Sequence, residues 1–139
     1  MARPLELRPD PGHVLQTGGS GLVGSAVAAA LRAHGARVDA PRSAELDVTR
    51  LEAVHDHVAR HAVDLLINSA AEASVERAER DPGRAERINA LGAHNCAIAA
   101  AAAGIPLVHI STDYVFDGAA RRPYAEVDPT GVPPNVYGR

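Results

Sequence analysis

The sequence is short of features that would place it in several common classes of protein. Cys96 is the only cysteine among 139 residues, so no disulfide forms within the chain, and we expect a reducing, cytoplasmic compartment. No apolar run approaches the ~20 residues that span a bilayer, and the first residues contain no apolar segment typical of secretion signals. A net charge of -3 provides no basic patch for a nucleic-acid backbone. We therefore expect a soluble protein that binds neither membranes nor nucleic acid.

The sequence does contain an alternation of short apolar strands with helices. Residues 1–12 are predicted to form a flexible leader, and residues 112–139 are predicted to form loops. The predicted strands are residues 13–19, 36–40, 64–68 and 106–111. The predicted helices between them are residues 22–35, 50–61 and 81–104. Alternating strands and helices indicate βαβ units, whose parallel strands are apolar because both faces are buried. We therefore predict an α/β fold with a Rossmann-type doubly wound parallel sheet of about four strands over residues 13–139.

The turn after the first predicted strand contains three glycines in the spacing G-x-x-G-x-x-G, within "TGGSGLVG" (Thr17 to Gly24). Gly18 would allow a tight turn, Gly21 would let the backbone approach a pyrophosphate, and Gly24 would let helix and strand pack closely. The lysine that defines a Walker P-loop is absent after the last glycine. A plain strand-to-helix turn is the alternative, but the position of the motif favours dinucleotide binding.

A second motif, "STDYVFDG" (Ser111 to Gly118), follows the fourth predicted strand, with "PYAEVDP" and "PNVYG" downstream. These motifs, the glycine spacing, "ELDVT", "INSAA" and "AERINALGAHNCAIAA" together resemble the extended short-chain dehydrogenase/reductase family. Within it, the chain resembles the dTDP-4-dehydrorhamnose reductase branch, the sugar-nucleotide-binding reductases. The resemblance extends from about His13 to Arg139.

The resemblance implies an enzyme that reduces the 4-keto sugar of dTDP-4-dehydro-rhamnose to dTDP-rhamnose with NADPH or NADH. By that resemblance, Thr112 hydrogen-bonds the C4 oxygen of the sugar and Tyr137 gives this oxygen a proton. Asp113 and Tyr114 would line the substrate site, although two core aromatics after a strand would also explain Tyr114 and Phe116. The expected cofactor-binding residues are Gly18, Gly21, Leu22, Val23, Gly24, Arg42, Asp47, Val48, Ala70, Ala71 and Asn89. A homodimer of the full-length protein is a further expectation.

Tyr137 lies two residues before the last residue of the sequence, Arg139. A tyrosine with an unperturbed pKa of about 10 is a poor proton donor at neutral pH, and a nearby ammonium lowers that pKa. In the family the ammonium belongs to a lysine four residues after the tyrosine, one helical turn further on. We therefore expect the sequence to be an N-terminal part of the enzyme, without this lysine and the substrate-binding lobe, and inactive alone.

The sequence departs from the family pattern at two places near the expected cofactor. Glu72 and Ala73 follow "SAA", where the branch commonly has tyrosine or histidine and then threonine, so a carboxylate is expected near the nicotinamide ribose. Pro41 and Arg42 follow the second strand, where NAD-specific members have an acidic residue. Asp39 is an alternative acid at this position. A guanidinium can clamp a 2′-phosphate, so we predict that Arg42 favours NADPH.

Three histidines lie on one predicted helix, and two of them, His57 and His61, are one helical turn apart. This spacing can bind a metal, but no H-E-x-x-H motif occurs and no third ligand is near in the sequence. We therefore predict surface histidines and no metal site.

Two other functions remain open at the level of sequence. One is a non-catalytic nucleotide-binding regulatory module, and the other is a nucleotide-sugar epimerase or dehydratase of the same superfamily. The roles of Asn89 and Asn95 are equally open, because both asparagines fit either a family motif or satisfied amides in the core.

Overall fold

The computed structural model describes residues 12–139, so the predicted leader lies outside the described residues except for Gly12. The strands are β1 (His13–Thr17), β2 (Arg37–Asp39), β3 (Leu65–Asn68) and β4 (Leu107–His109). The helices are α1 (Leu22–Ala33), α2 (Leu51–His61), α3 (Val75–Arg80), α4 (Pro82–Glu86) and α5 (Gly92–Ala103). A π-helical turn, Arg87–Leu91, joins α4 to α5, and a 3-10 turn, Asp113–Val115, follows β4. Over residues 12–139, none of these helices combines the length and apolar character that crossing a membrane requires.

The four strands form one parallel sheet in the order β2-β1-β3-β4. Leu15 in β1 lies between Asp39 of β2 and Leu66 of β3, which sets the register of the three strands. The chain leaves β1 towards β2 on one side and then crosses to β3 on the other side. Ligands bind at such a switch point in open α/β sheets, outside the carboxyl ends of the strands. The predicted Rossmann-type parallel sheet is confirmed.

Alternate residues of the strands face two different helix layers. On one face, Leu15 and Leu66 are fully buried against Val54 and Val58 of α2 and Ala99 of α5. On the other face, Val14 and Ile67 form a smaller cluster that packs against α1. Each fully buried leucine stabilises the fold by about 1.5–3 kcal/mol relative to an exposed one. The small side chains of the alanine-rich α5 allow this helix to pack closely against α2 and the sheet.

The helix predicted over residues 81–104 begins and ends as expected but is not continuous. Asp81 accepts a hydrogen bond from the Arg84 amide, Pro82 occupies the first turn, and Gly104 ends the helix with a φ of 67°. The π-helical turn interrupts it at the position of Asn89, whose side chain is bonded to another segment. Such turns are rare and difficult to recognise from residue spacing.

Two local details of the structure add to the sequence prediction. Helix α3 was not predicted, although Ser74 caps it by accepting a hydrogen bond from the Arg77 amide at 3.2 Å. The Asp47 carboxylate does not cap α2, because it accepts hydrogen bonds from the amide and hydroxyl of Thr49 instead. The short turn made by Asp47 and Thr49 therefore holds the segment before α2.

Candidate active site

The glycine-rich loop after β1 is packed so tightly that two of its positions exclude side chains. Gly18 has a φ of 68°, and a Cβ atom there would lie 2.5 Å from the Ala70 nitrogen. A Cβ atom on Gly24 would collide with the carbonyl oxygen of Gly18. The Gly21 amide donates to the same carbonyl at 2.9 Å and leads into the first turn of α1. The loop therefore lies directly beneath the helix N-terminus, whose free amides attract anions.

Gln16, a polar residue inside a buried strand, supports this loop from behind. Its side chain is fully buried, and Nε2 donates to Ser69 Oγ at 2.8 Å and to the Thr17 carbonyl at 3.2 Å. Ser69 Oγ also donates to the Thr17 carbonyl. Thr17 Oγ1 donates to the Asn68 side chain at 2.6 Å. This network joins the carboxyl ends of β1 and β3 at the switch point and gives partners to the Nε2 group of Gln16, whereas the buried Oε1 has no hydrogen-bond partner among residues 12–139.

A cavity of about 580 Å³ lies beside the glycine-rich loop. Its wall contains Gly18 and Gly21 together with Asp47 and Val48, which the sequence assigned to the cofactor. Val48 is buried, and its carbonyl accepts a hydrogen bond from Asn95 at 2.9 Å. The structure thus brings the glycine-rich loop and the segment of Asp47 and Val48 to one cavity, while Asn95 serves as a satisfied amide of the core.

A second cavity, of about 400 Å³, lies at the carboxyl ends of β3 and β4. Thr112 and Tyr137 are both in its wall, as is Asn89. Ala70 and Ala71 line both cavities, so the two form neighbouring parts of one cleft. The cleft therefore connects the glycine-rich loop with the hydroxyl groups of Thr112 and Tyr137, although these residues lie far apart in the sequence.

Tyr137 is held in place by contacts on both sides of it. The Val136 amide donates to Glu79 Oε1 at 2.8 Å. The ring of Tyr114 packs edge-on against the ring of Tyr137, with centroids 5.8 Å apart. Gly138 is buried, and a Cβ atom there would collide with the Tyr114 carbonyl oxygen. The backbone around Tyr137 is therefore fixed to α3 and to the segment after β4.

The hydroxyl of Thr112 caps the 3-10 turn after β4. Its oxygen accepts a hydrogen bond from the Tyr114 amide at 3.2 Å, and its proton is donated to Asp113 Oδ1, also at 3.2 Å. Thr112 is half-buried and lies in the wall of the smaller cavity. The Thr112 hydroxyl oxygen can continue to accept the hydrogen bond from the Tyr114 amide while the hydroxyl proton rotates from Asp113 towards a ligand.

Several of the predicted site residues lie outside the walls of both cavities. They are Leu22, Val23, Gly24, Arg42, Asp113 and Tyr114. Leu22 is 89% exposed at the start of α1, and the side chain of Arg42 is exposed after β2. The Arg42 amide donates to Glu45 Oε2 at 2.7 Å, which fixes the backbone there. Their roles towards a ligand remain predictions.

Comparison with known proteins now identifies the family. Residues 12–139 match the family described as the RmlD substrate binding domain. The chain belongs to this family. A dTDP-4-dehydrorhamnose reductase of Mycolicibacterium smegmatis is 43% identical over 127 residues, which are 91% of this chain and 38% of that protein. The chain spans about two fifths of the length of the curated relatives it matches.

Solved structures of RmlD-like reductases have the same fold. The crystal structure of a dTDP-4-dehydrorhamnose reductase from Clostridium acetobutylicum superposes with a TM-score of 0.85 at 36% identity, covering 91% of this chain and 45% of that one. A Bacillus anthracis dTDP-4-dehydrorhamnose reductase, crystallised in complex with NADP, has a TM-score of 0.85 at 34% identity, with the same coverage.

Within this RmlD-family chain, Glu72 is buried and paired with two arginines. Its carboxylate accepts hydrogen bonds from Arg77 Nε at 2.8 Å and from Arg84 Nε at 3.2 Å. Burial alone would raise the pKa of Glu72, but the bonds from Arg77, the Ser74 amide and Arg84 together hold the pKa below its usual value. Glu72 lines neither cavity, so its carboxylate is directed into a salt bridge rather than into the cleft.

Asn89 anchors the segment that follows β3. It accepts a hydrogen bond from the Glu72 amide at 2.8 Å and donates one to the Glu72 carbonyl at 3.3 Å. Both the oxygen and the nitrogen of its side-chain amide therefore form hydrogen bonds with the backbone of Glu72. Asn89 also borders the smaller cavity. In this RmlD-family chain Asn89 holds the cavity wall in position.

Sequence reasoning missed two arginines at the larger cavity. Arg84 and Arg87 lie in its wall together with Gly18 and Gly21 of the glycine-rich loop. Their spacing of three residues indicates a shared helix face, but nothing local connects that face with residues near position 18. Arg84 is paired with Glu72, whereas the Arg87 guanidinium adds positive charge to a cavity at a helix N-terminus, which favours an anionic ligand.

Proposed function

We propose that this chain is the cofactor-binding part of an NADP(H)-dependent reductase that converts dTDP-4-dehydro-rhamnose to dTDP-rhamnose. The observation that carries the proposal is the shared cleft. Thr112 and Tyr137 border one end of it, and Gly18 and Gly21 border the other. Relatives from several bacteria are named dTDP-4-dehydrorhamnose reductase, which supports the same substrate class.

The residues of the larger cavity fit a dinucleotide. A side chain at Gly18 or Gly24 would collide with neighbouring backbone atoms, so these glycines let the loop fold tightly and its backbone approach a pyrophosphate. The N-terminal amides of α1 would hold its negative charge. Arg87, in the wall of the same cavity, would be able to pair with this anion. When it is bound, a reduced nicotinamide supplies a hydride to the carbonyl carbon of the substrate.

Two hydroxyl groups of this chain would interact with the carbonyl oxygen of the substrate. Reduction of a ketone requires a proton at oxygen as the hydride reaches carbon. Tyr137 O–H would donate that proton, and Thr112 O–H would hydrogen-bond the same oxygen as negative charge develops on it. The Thr112 proton would be available to the substrate because its hydrogen bond to Asp113 is long, at 3.2 Å, and exposed to solvent.

The segment after β2 favours NADPH as the reduced cofactor. Asp39, the alternative acid for a ribose hydroxyl, is already bonded to His57 Nε2 at 2.6 Å. The exposed Arg42 guanidinium forms no salt bridge among residues 12–139 and would be able to pair with a 2′-phosphate. The Bacillus anthracis reductase that shares this fold was crystallised with NADP, which supports the same choice.

The test has two parts, because the curated relatives are longer than this chain. Cofactor binding is measured by titrating the chain with NADPH and with NADH, and we expect tighter binding of NADPH. Turnover is measured as NADPH oxidation with dTDP-4-dehydro-rhamnose in the complete gene product. Binding without turnover of this sugar nucleotide would contradict the substrate assignment, and absence of dinucleotide binding would contradict the cofactor assignment.

A further inference from the structure

Three potential metal ligands come together outside the cleft, where β2 meets α2. His57 Nε2 lies 2.6 Å from Asp39 Oδ2. The rings of His57 and His61 are stacked, with centroids 4.4 Å apart and planes inclined by 28°. One ligand atom from each of the three residues lies within 4.8 Å of the others. The sequence alone showed His57 and His61 but no third ligand near them. In the folded structure Asp39 is that third ligand group.

The fold itself places these three groups. His57 and His61 are four residues apart on α2, so their side chains emerge from the same face one turn apart. Asp39 pairs with Leu15 in the sheet and shares its face, which is the face that α2 covers. A carbonyl oxygen can only accept, so His13 Nδ1 carries the proton that it donates to the His61 carbonyl at 2.7 Å. That bond fixes the end of α2 to β1.

We propose that Asp39, His57 and His61 bind a divalent transition-metal ion of the Zn²⁺ class. Imidazole nitrogen and carboxylate oxygen are typical zinc ligands, whereas Mg²⁺ and Ca²⁺ are bound by oxygen atoms. Ligands of a tetrahedral zinc ion lie about 3.4 Å apart, given metal–ligand distances of about 2.0–2.1 Å. The ligand atoms of the three residues now lie within 4.8 Å of one another, so binding would draw the exposed His61 ring towards the other two groups.

Two features of the surroundings favour a cation at this position. His61 is the last residue of α2, and the negative end of the helix dipole at a C-terminus attracts positive charge. His57 and Asp39 are joined by a hydrogen bond through one proton. A bound metal would take the place of that proton, so both side chains would still have a partner. Three protein ligands leave a fourth position for water. None of the three residues borders either cavity of the cleft.

The experiment is a calorimetric titration of the untagged chain with ZnCl₂ after treatment with EDTA. We expect one saturable site per chain. His61→Gln and His57→Gln should each weaken binding by at least about tenfold, as should Asp39→Asn, which keeps a hydrogen-bond acceptor for His57 but loses the charge. The matched control is His55→Gln, because His55 is exposed on the same helix and outside the cluster. This variant should bind Zn²⁺ like the wild type.

A second measurement separates metal binding from damage to the fold. With Zn²⁺ at a hundredfold excess over its Kd, the Tm of the wild type should rise by roughly 5–10 °C, because the ion binds the folded state. His61→Gln replaces an exposed residue, so it should keep the circular dichroism spectrum and lose the Zn²⁺-dependent rise. Absence of saturable binding by the folded wild type, or an equal loss in His55→Gln, would overturn the proposal.

Discussion

The Glu79 carboxylate on α3 accepts a hydrogen bond from the backbone amide of Val136 at 2.8 Å, across a separation of 57 residues. This bond fixes the backbone immediately before Tyr137, which borders the smaller cavity. It is a contact between two exposed residues, and no spacing in the sequence indicates it. The position of the proposed proton donor therefore depends on a helix that the sequence did not predict.

Replacing Glu79 with alanine should loosen Tyr137 and lower turnover in the complete gene product by roughly tenfold, because small misplacements of a reacting group are costly. Glu79→Gln keeps an acceptor oxygen and should restore most of the activity. NADPH affinity should not change in either variant. Glu76→Ala is the matched control on the same helix, since Glu76 pairs only with Arg80 among residues 12–139. Equal turnover of Glu79→Ala and wild type would show that this bond does not position Tyr137.

Gly24→Ala should weaken NADPH binding by at least about tenfold and lower stability, because the added methyl group collides with the Gly18 carbonyl. The measurements are a cofactor titration and urea unfolding of the chain. Gly83→Ala is the control, since the nearest atom to its new methyl group would be 3.5 Å away, an ordinary contact. Alanine in helix α4 should stabilise by about 0.5–1 kcal/mol. Unchanged NADPH affinity in Gly24→Ala would contradict the assignment of this loop.

Thr112→Val should lower kcat by about 10²-fold or more, because it removes a hydrogen bond to the developing oxyanion. Steady-state NADPH oxidation with the sugar nucleotide measures the change. Thr112→Ser keeps the hydroxyl and should retain most of the rate. Because the Thr112 hydroxyl also caps the turn before Tyr114, the folded state of both variants is checked by circular dichroism. A valine variant with wild-type turnover would remove Thr112 from the mechanism.

Arg42→Ala should weaken NADPH binding by roughly 1–3 kcal/mol and leave NADH binding nearly unchanged, because only NADPH carries the 2′-phosphate. Titration of the chain with both cofactors measures this difference. Arg121→Ala removes an exposed guanidinium from the loop after β4 and should affect neither cofactor. A similar loss for NADPH and NADH in Arg42→Ala would show that Arg42 does not contact the 2′-phosphate.

Glu72→Gln should destabilise the fold at pH 7 by about 1–2 kcal/mol, because it removes charged hydrogen bonds while the exposed arginines stay hydrated. The pKa of Glu72 is lower in the folded state, so its contribution is fully present above the unfolded pKa of about 4.3. It is lost as the pH falls through the folded pKa. The difference between wild type and variant in urea unfolding should therefore shrink below about pH 4. A difference that does not change with pH would exclude this charge effect.

Much of the fold was predictable because its signals are local. The four strands, the helices other than α3 and the glycine-rich turn follow from apolar runs, alanine-rich segments and caps such as Asp81 with Pro82. The strands are shorter than predicted, and Val108 in β4 is 37% exposed rather than buried. The apolar residues of a strand do not reveal which of its faces a helix covers, since that depends on elements elsewhere in the chain.

The sequence by itself determined which residues are proposed for the chemistry of the cleft: the glycines of "TGGSGLVG", Thr112 of "STDYVFDG" and Tyr137 of "PNVYG". Only the tertiary structure decided which of them meet. The strand order β2-β1-β3-β4 brings Ala70 between the glycine-rich loop and Thr112, and the packing of α2 on the sheet brings His57 to Asp39. The physical reason is that residue spacing specifies which face of a helix or strand a side chain occupies. Which other element packs against that face depends on how the whole chain buries its apolar side chains in the core.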